Sequence, residues 1–482
     1  MPLPPPESVA RAVRTSARVA LWTSLVLTAA AALLLHRYSR PIPDAGYARV
    51  PEEQAQWQGV DFLSFPEVRL LRDYVRIDTS HPEPDEAAGA EFLAAQLAAA
   101  GVPATIERFA DGRANLWAFV EGDDPRALVL HGHIDVEPAV VSEGWDFPPF
   151  SATIVGPWIY GRGMYDMKSL TVAQLLATID AAKAGRRPRR SLLFLQTSGE
   201  EDGSDTGTRW ILDEHPELVA RLGTVLTEGG VVEATSPSEI KYWGIEFGQK
   251  SFARIVFCSS DRVTLERVRR LLLESGRADP RTEIDPGVRR FLASYGPSRG
   301  HERLIALLRS PDRLVREANR FARLTPFLQA LFRDEAWPLP VVAAPGGGYQ
   351  LDVWLHLLPG TNAESAAERL LADSRTLGIA ATPLRRFEAG PASPIDHPDF
   401  ARIERTIAER FPGVAVGPYF LPWAMTDAHL FRAAGIAAYG FSPFPVVVYD
   451  TVQIAKANER MQLPAFRTGI ELYRETVRQL LD

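Results

Sequence analysis

The chain has 482 residues, of which 46% are hydrophobic and 23% are charged, and its formal net charge at pH 7 is -7. This length and composition indicate a folded protein of more than one domain and exclude a disordered chain. The negative charge argues against a general nucleic-acid binder, because such proteins present positive surfaces to the phosphates. The single cysteine, Cys258, excludes an intrachain disulfide and a cysteine-rich zinc site, and its apolar neighbours predict that it packs in a core.

The first 45 residues are predicted to form a tail, a membrane anchor at about residues 19–35 and a tether. The anchor segment contains no charged residue, and three arginines precede it. About 17 apolar residues are few for a membrane span and many for the core of a signal peptide, so cleavage near residues 29–31 remains the alternative. The basic flank before the span predicts a cytoplasmic N-terminus and a main domain on the extracytoplasmic side.

Between residues 46 and 243, apolar strand patterns alternate with helical patterns. Helical spacing appears at residues 68–75, 87–100 and 169–182, and strand patterns at 104–108, 115–120, 127–130, 191–196 and 224–226. A long loop rich in Pro and Trp covers residues 137–157. Because the strand runs are continuously apolar, we predict an α/β domain with a mainly parallel sheet that is covered on both faces.

The pattern changes between residues 244 and 386, which are predicted to form an inserted, smaller α+β lid domain. Strands are expected at 251–257 and 351–357, and helices at 264–273, 302–332 and 363–372. From residue 387 to 482 the α/β pattern returns, with a strand at 436–441 and a final helix at 464–481. The chain is therefore predicted to hold a catalytic domain in two parts, 46–243 and 387–482, with the lid between them.

Acidic residues and a histidine follow several of the predicted strands or precede a helix. These residues are His133, Asp135, Asp166, Glu200, Glu201 and Glu228. In open α/β sheets, ligands bind at the carboxyl ends of the strands, so we expect these side chains to converge there. Packed carboxylates would repel one another without a cation, and zinc accepts both imidazole nitrogen and carboxylate oxygen. The pattern therefore predicts a zinc hydrolase site.

Each of these patterns has an ordinary structural explanation when it is taken alone. His133 and Asp135 are typical of a turn or capping pair at a strand end. Glu200 and Glu201 precede Asp202-Gly203 and resemble a solvated helix start, and Asp166 alone resembles an N-cap. The order of the motifs at successive strand ends favours the metal site.

The motifs together resemble those of the M20 family of metallopeptidases, in its carboxypeptidase S and N-acyl-amino-acid hydrolase branch. The segments that carry the resemblance follow one another in the family's order: HGHIDVEP, EGWDFPPF, YGRGMYDMK, the Glu200-Glu201 pair, TEGG, TDA and NERM. The resemblance covers nearly all of the chain after the anchor segment. It implies a zinc-dependent catalytic domain interrupted by a lid, and the hydrolysis of amide bonds in small peptides or N-acyl amino acids. It also implies a homodimer formed through the lid.

The resemblance assigns a role to each candidate residue. His133 and Glu228 are implied to bind a first zinc ion, Glu201 a second, and Asp166 to bridge the two. Glu200 is implied to be the general base and Asp135 to orient the imidazole of His133. His131 is not a ligand in this pattern and is taken as a packing residue or a residue that supports the ligands.

The sequence departs from the family pattern at several positions. Ala455 and Lys456 stand where the last metal-binding histidine and its glycine are expected, and the lid segment FCSSDRV lacks the family's histidine. His356 and His429 replace arginines and are predicted to bind substrate in an altered carboxylate clamp. Gly199 replaces the usual Asp before Glu200. The resemblance therefore implies one or two zinc ions, because the second site lacks its imidazole.

Three hypotheses follow from the retained and the lost residues. The first is a membrane-anchored, zinc-dependent amidohydrolase of carboxypeptidase-like type, which acts on a small peptide or N-acyl amino acid and uses one zinc ion. The second is a catalytically silent relative that binds a small ligand or a partner protein, because both the last metal histidine and the lid histidine are missing. The third is an unrelated α/β domain.

Overall fold

The computed structural model describes residues 57–81, 85–236, 239–275, 285–298, 326–376, 379–382, 384–447, 450 and 453–482. Two predictions lie wholly or mostly outside these residues. The membrane anchor at residues 19–35 is one, and most of the helix predicted at 302–332 is the other. Within the described residues, no helix combines the length and the apolar character that a membrane crossing requires.

The described strands are numbered in chain order: β1 Ala104–Arg108, β2 Ala114–Val120, β3 Asp124–His133, β4 Thr153–Val155, β5 Trp158–Tyr160, β6 Arg190–Thr197, β7 Leu222–Thr227, β8 Val231–Ser236, β9 Glu239–Gln249, β10 Ser251–Ser259, β11 Glu335–Pro338, β12 Val342–Ala343, β13 Tyr349–Leu357, β14 Ala380–Ala381, β15 Arg385–Phe387, β16 Ala415–Leu421, β17 Ala437–Gly440 and β18 Arg460–Gln462. The described α-helices are α1 Pro66–Val75, α2 Glu86–Ala99, α3 Ser169–Lys183, α4 Thr208–Glu214, α5 Pro216–Val219, α6 Arg262–Ser275, α7 Pro286–Ser298, α8 Pro326–Ala330, α9 Ala363–Thr376, α10 Pro398–Arg410, α11 Ala428–Ala433 and α12 Leu463–Leu481.

The described residues of the two segments predicted to form the catalytic domain contain a mixed sheet of nine strands. Its order is β1-β2-β6-β3-β7-β17-β9-β16, and β8 pairs with β9. The four central strands, β6, β3, β7 and β17, are parallel to one another. Their side chains are buried along most of their length, because helices cover both faces of a parallel sheet.

The prediction of a mainly parallel sheet is correct for the centre of the sheet and wrong for its flanks. The strands β1 and β2 pair antiparallel, as do β2 with β6 and β8 with β9. The connections within the β1-β2 and β8-β9 pairs are only a few residues long, which suffices for a hairpin but not for a parallel crossover. Of the nine strands in this sheet, the prediction missed β8, β9 and β16.

Two further sheets are described: a three-stranded one of order β18-β5-β4, and a six-stranded one that belongs to the inserted segment. The six-stranded sheet has the order β11-β13-β10-β14, with β12 on β13 and β15 on β10, and α6 packs against it. Its core includes Ile255, Phe257 and Val353. Cys258 lies on β10, where it is half-buried and forms no disulfide.

The nine-stranded and the six-stranded sheet meet at Lys250, the residue between β9 and β10. The predicted boundary at 243/244 falls inside β9, which pairs with β16 of the larger sheet. Two helices of the inserted segment, α7 and α8, also pack on the core of the catalytic domain. The ring of Phe291 on α7 lies 5.5 Å from that of Tyr242 and 5.6 Å from that of Tyr419.

Candidate metal centre

The carboxyl ends of β3, β6 and β7 bring the predicted metal ligands together. His133 is the last residue of β3 and is buried. Its Nε2 atom lies 3.0 Å from a carboxylate oxygen of Asp166 and 3.7 Å from one of Glu228. Because the strands are parallel and adjacent, residues that follow their ends share one edge of the sheet.

Asp135 connects the imidazole of His133 with the two glutamates. The Nδ1 atom of His133 lies 2.9 Å from the backbone oxygen of Asp135 and 3.5 Å from its carboxylate. A carbonyl oxygen only accepts, so Nδ1 carries a proton and Nε2 faces the carboxylates. The Asp135 carboxylate accepts hydrogen bonds from the backbone N–H groups of Glu200, at 3.1 Å, and Glu201, at 3.0 Å. The contact with the glutamates was not foreseen from the sequence.

Two turns present the remaining acidic residues. Asp166 lies in the turn Met164–Lys168, which directly precedes α3 and begins after Gly163. Glu200 and Glu201 lie in the short turn Glu200–Asp202 after β6. Gly199 begins that turn with a φ of 63°, and a Cβ atom at this position would lie 2.1 Å from Nη1 of Arg113. A glycine therefore fits where the family pattern has Asp.

Burial and mutual repulsion raise the pKa of the glutamates of this centre, which favours their protonated forms in the absence of a cation. Burial, followed by the charge of Asp166, raises the pKa of Glu228 to about 8. Burial also raises the pKa of Glu200 and of Glu201 well above the ordinary value, with Glu228 and Asp166 as the next contributors. Burial lowers the pKa of His133, but the charges of Glu228, Asp135 and Asp166 outweigh burial and raise it. A divalent cation would displace these protons, because it favours the ionised carboxylates.

The donor set fits a metal ion. Two sets of three side chains, His133 with Asp166 and Glu201, and His133 with Glu200 and Glu228, place their ligand atoms within 4.8 Å of one another. In the described part of the chain, the Oε1 atom of Glu201 is buried without a hydrogen-bond partner. One imidazole and several carboxylates are a typical donor set for zinc. The predicted first-metal residues His133, Asp166 and Glu228 are distributed over these two sets.

His131 lies two residues before His133 on β3 and occupies a different, hydroxyl-lined environment. Its Nδ1 is 2.9 Å from the hydroxyl of Thr227, and its Nε2 is 2.9 Å from that of Thr208. Asp427 of the TDA motif accepts hydrogen bonds from Thr208 and Ser204. Burial lowers the pKa of His131 to about 4, against the raising effect of Asp427. His131 is thus a neutral core residue beside the centre, and the Asp427 contacts were not foreseen.

The two histidines that are predicted to bind substrate have contacts other than the predicted metal ligands. His356 is on β13, where its ring stacks on Trp337 at 5.6 Å and also contacts Phe252. His429 is on α11, and its Nδ1 is 2.8 Å from the backbone oxygen of Thr426. Among the described residues, neither ring hydrogen-bonds to a predicted metal ligand. Their predicted contact with substrate stays a prediction.

His356 predicts a measurable acid sensitivity. Burial, followed by the nearby charge of Lys250, lowers the pKa of His356 to about 3. Between pH 6.5 and 3 the imidazole of His356 is protonated in the unfolded chain but neutral in the folded protein. The proton therefore stabilises the unfolded chain, and the free energy of unfolding falls as the pH falls through this window. Through this histidine the wild type should lose roughly 3 kcal/mol of unfolding free energy between pH 6.5 and 4, and His356→Gln should lack that loss. Urea unfolding at the two pH values measures the difference.

The control for this measurement is His397→Gln. His397 is more exposed and accepts a hydrogen bond from the backbone N–H of Asp399 at the start of α10. This variant should be less stable than the wild type at pH 7 because its helix cap is lost, and it therefore shows the size of a stability loss that does not come from a buried imidazole. Equal acid slopes for wild type and His356→Gln would contradict the prediction.

Comparison with known proteins assigns the chain to a family. The family model of peptidase family M20/M25/M40 matches residues 129–479, which is most of the chain. The chain belongs to this family. The resemblance inferred from the motifs is therefore confirmed, and so is the predicted class, that of the M20 hydrolases.

Relatives in the family carry the name succinyl-diaminopimelate desuccinylase. The chain is 35% identical over 175 residues to a succinyl-diaminopimelate desuccinylase of Dinoroseobacter shibae, a match that covers 36% of this chain and 44% of that protein. It is 40% identical over 164 residues to a succinyl-diaminopimelate desuccinylase of Leptothrix cholodnii, covering 30% of this chain and 43% of that protein. The matches thus span less than half the length of these M20 relatives.

Solved structures of M20 proteins share the fold over nearly their whole length. An M20 family metallo-carboxypeptidase from Sulfolobus solfataricus superposes with a TM-score of 0.65 at 16% identity, covering 86% of this chain and 99% of that one. A dipeptidase from Saccharomyces cerevisiae gives a TM-score of 0.63 at 15% identity, covering 88% and 98%. At these identities the likeness establishes the fold, which confirms the α/β architecture of the M20 family.

Proposed function

We propose that the protein is a metal-dependent hydrolase that cleaves an amide bond in a small peptide or an N-acyl amino acid, with one zinc ion in its active site. The observation that carries the proposal is the convergence of His133, Asp166 and Glu228 beside Glu200 at one sheet edge. The names of the relatives support the substrate class, since a desuccinylase removes an acyl group from an amine. The grouped ligands and base favour the enzyme over the catalytically silent alternative.

The proposed chemistry divides between the metal and the protein. His133, Asp166 and Glu228 would hold the zinc ion, which would supply polarisation of the scissile carbonyl and a more acidic water. The Glu200 carboxylate takes a proton from the attacking water and delivers it to the departing nitrogen. Asp135 holds Glu200 in place, because its carboxylate accepts the Glu200 backbone N–H. The water oxygen becomes part of the carboxylate product, and the amine leaves with the proton.

Residue 356 is not expected to bind a substrate carboxylate through a positive charge. At neutral pH the imidazole of His356 is uncharged, because burial lowers its pKa to about 3. An uncharged ring between Phe252 and Trp337 does not attract a substrate carboxylate as an arginine would. The panel of candidate substrates should therefore include two kinds of N-acyl amino acids and dipeptides: those with anionic end groups and those with apolar end groups.

Metal content is the test of the proposed centre. We expect the purified wild type to contain about one zinc ion per chain, and Glu228→Ala to lose it, because two of three protein ligands hold zinc poorly. The measurement is elemental analysis of protein dialysed against a fixed zinc buffer, with circular dichroism to show that each variant is folded.

The matched control is Asp202→Ala, which removes a carboxylate from the same sheet edge. Asp202 is more exposed and pairs with Arg113, so this variant should keep its zinc. A wild-type protein without bound metal would refute the proposal. Full zinc content in Glu228→Ala would refute the assignment of Glu228 as a ligand.

The cellular location rests on the sequence alone. We propose that residues 19–35 anchor the protein with the main domain on the extracytoplasmic side. Fractionation of cells that express the full chain, followed by protease accessibility of the main domain, tests this location. Recovery of the chain in the soluble fraction would contradict the anchor. The homodimer through the lid also stays a prediction, and sedimentation of the purified protein tests it.

A further inference from the structure

The NERM segment packs its glutamate against the turn that carries Asp166. Glu459 is fully buried, and its carboxylate accepts hydrogen bonds from three groups of that region. The donors are the backbone N–H of Tyr165 at 2.8 Å, the backbone N–H of Gly163 at 3.3 Å, and Nη1 of Arg162 at 2.9 Å. Glu459 therefore contacts the residues that immediately precede Asp166.

Arg162 extends this contact to a further segment. Its side chain is buried, and its Nη2 donates to the backbone oxygen of Pro138 at 2.9 Å. Pro138 belongs to the HGHIDVEP segment, which also carries His133 and Asp135. The ion pair of Arg162 and Glu459 thus joins the segment of Glu459 to two segments that lie about 300 residues earlier in the chain.

Close packing at Gly163 and a backbone hydrogen bond from Lys168 also fix the turn that carries Asp166. Gly163 has a φ of 78°, and a Cβ atom there would lie 2.6 Å from Cγ1 of Val136. The N–H of Lys168 donates to the Gly163 oxygen at 2.8 Å, which closes the turn around Asp166. The turn is therefore held at its start by Glu459 and closed on itself by Lys168.

We propose that Glu459 is a positioning residue for the metal centre, which fixes the Asp166 carboxylate beside His133 through the backbone N–H groups of Gly163 and Tyr165. The inference rests on the proposed zinc site. Partners that orient metal ligands typically change metal affinity 10- to 100-fold when they are mutated. The segment of Ala455 and Glu459, which lacks a metal-binding histidine, thus still serves the centre by holding another ligand.

A buried ion pair by itself does not require this role. Replacing both members of such a pair with well-packed hydrophobic residues of similar volume often leaves stability unchanged, because the desolvation of two charges offsets their attraction. If the ion pair only supports the fold, its replacement should leave metal affinity unchanged. If Glu459 positions Asp166, metal affinity should fall, so the measurement that distinguishes the two roles is metal affinity and not stability.

The experiment is the zinc affinity of Glu459→Gln, measured by competition with a chromogenic chelator on the full chain. Glutamine keeps the size of the side chain, but its NH₂ group faces a donor, so the contacts with Gly163, Tyr165 and Arg162 are not all kept. We expect zinc binding to weaken about 10- to 100-fold. The control is Glu335→Gln, a buried lid carboxylate paired with Lys250, for which zinc affinity should equal that of the wild type.

A double variant separates positioning from stability. Arg162→Met with Glu459→Gln removes both buried charges, so the unfolding free energy should recover towards the wild-type value while zinc affinity stays weak. Zinc affinity that recovers together with stability, or an unchanged affinity in Glu459→Gln, would overturn the proposal. A wild type that binds no zinc would instead refute the proposed function.

Discussion

Replacing Glu200 with glutamine is expected to lower kcat by about 100- to 10,000-fold, because a general base typically contributes this much to catalysis. Glu200 lies in the set of ligand-capable side chains with His133 and Glu228, and Asp135 accepts its backbone N–H. Glutamine keeps the size of the side chain but does not take a proton from water. The measurement is steady-state hydrolysis of the amide found to be the best substrate of the panel.

Zinc content separates loss of the base from loss of the metal. Glu200→Gln should keep the zinc content of the wild type, because the proposed ligands are His133, Asp166 and Glu228. The matched control is Glu143→Gln at an exposed position, which should retain wild-type kcat. Turnover that survives in Glu200→Gln would show that another group takes the proton, whereas a wild type without turnover on any amide would favour the catalytically silent alternative.

Introducing a histidine at Ala455 is expected to raise the zinc content from about one to about two ions per chain. The family resemblance places the last metal-binding histidine at this position, and the rest of the second site, Asp166 and Glu201, is retained. Ala455 is exposed and has a φ of 57°, a conformation in which histidine is several-fold more frequent than most residues. Elemental analysis after zinc loading measures the change.

The control for this gain is Lys456→His, which adds an imidazole one residue further along the same exposed turn. This variant should stay at about one zinc ion per chain. A count of one in Ala455→His would contradict the prediction that only an imidazole is missing from the second site. A count of two in the wild type would show that another residue already replaces the histidine, and would refute the single-zinc proposal.

The elements near the centre were predictable because their signals are local. Continuous apolar runs predicted strands at 127–130 and 191–196, and the structure extends them to Asp124–His133 and Arg190–Thr197. Helical spacing likewise predicted Ser169–Lys183 and Leu463–Leu481 nearly to their ends. Hydrophobic periodicity depends on neighbours a few residues away, so the sequence alone is sufficient for it.

The convergence of the predicted ligands was also foreseeable, since it needs only the positions of strand ends. His133, Glu200 and Glu228 each come at or directly after the end of a predicted strand, and adjacent parallel strands end at one edge. Asp166 follows no predicted strand, and it was included because it directly precedes a predicted helix. The structure places it 3.0 Å from His133.

The flanks of the sheet and the boundary of the lid required the tertiary structure. The strands β9 and β16 pair although more than 150 residues separate them, and no local pattern marks such a partner. Phe291 belongs to the inserted segment by sequence, but its ring packs on Tyr242 and Tyr419 of the catalytic core. The direction and partner of a strand depend on surfaces that come together only in the folded chain.

The sequence by itself determined the order of the motifs, the elements that carry them and the identity of the residues at one sheet edge, because each depends on residues close along the chain. Only the tertiary structure decided how these residues are held. Asp135 binds the backbone of Glu200 and Glu201 across 65 and 66 residues, and Glu459 binds Arg162 across 297. Hydrogen bonds between buried groups depend on orientation and on distances of about 3 Å, which sequence spacing does not specify.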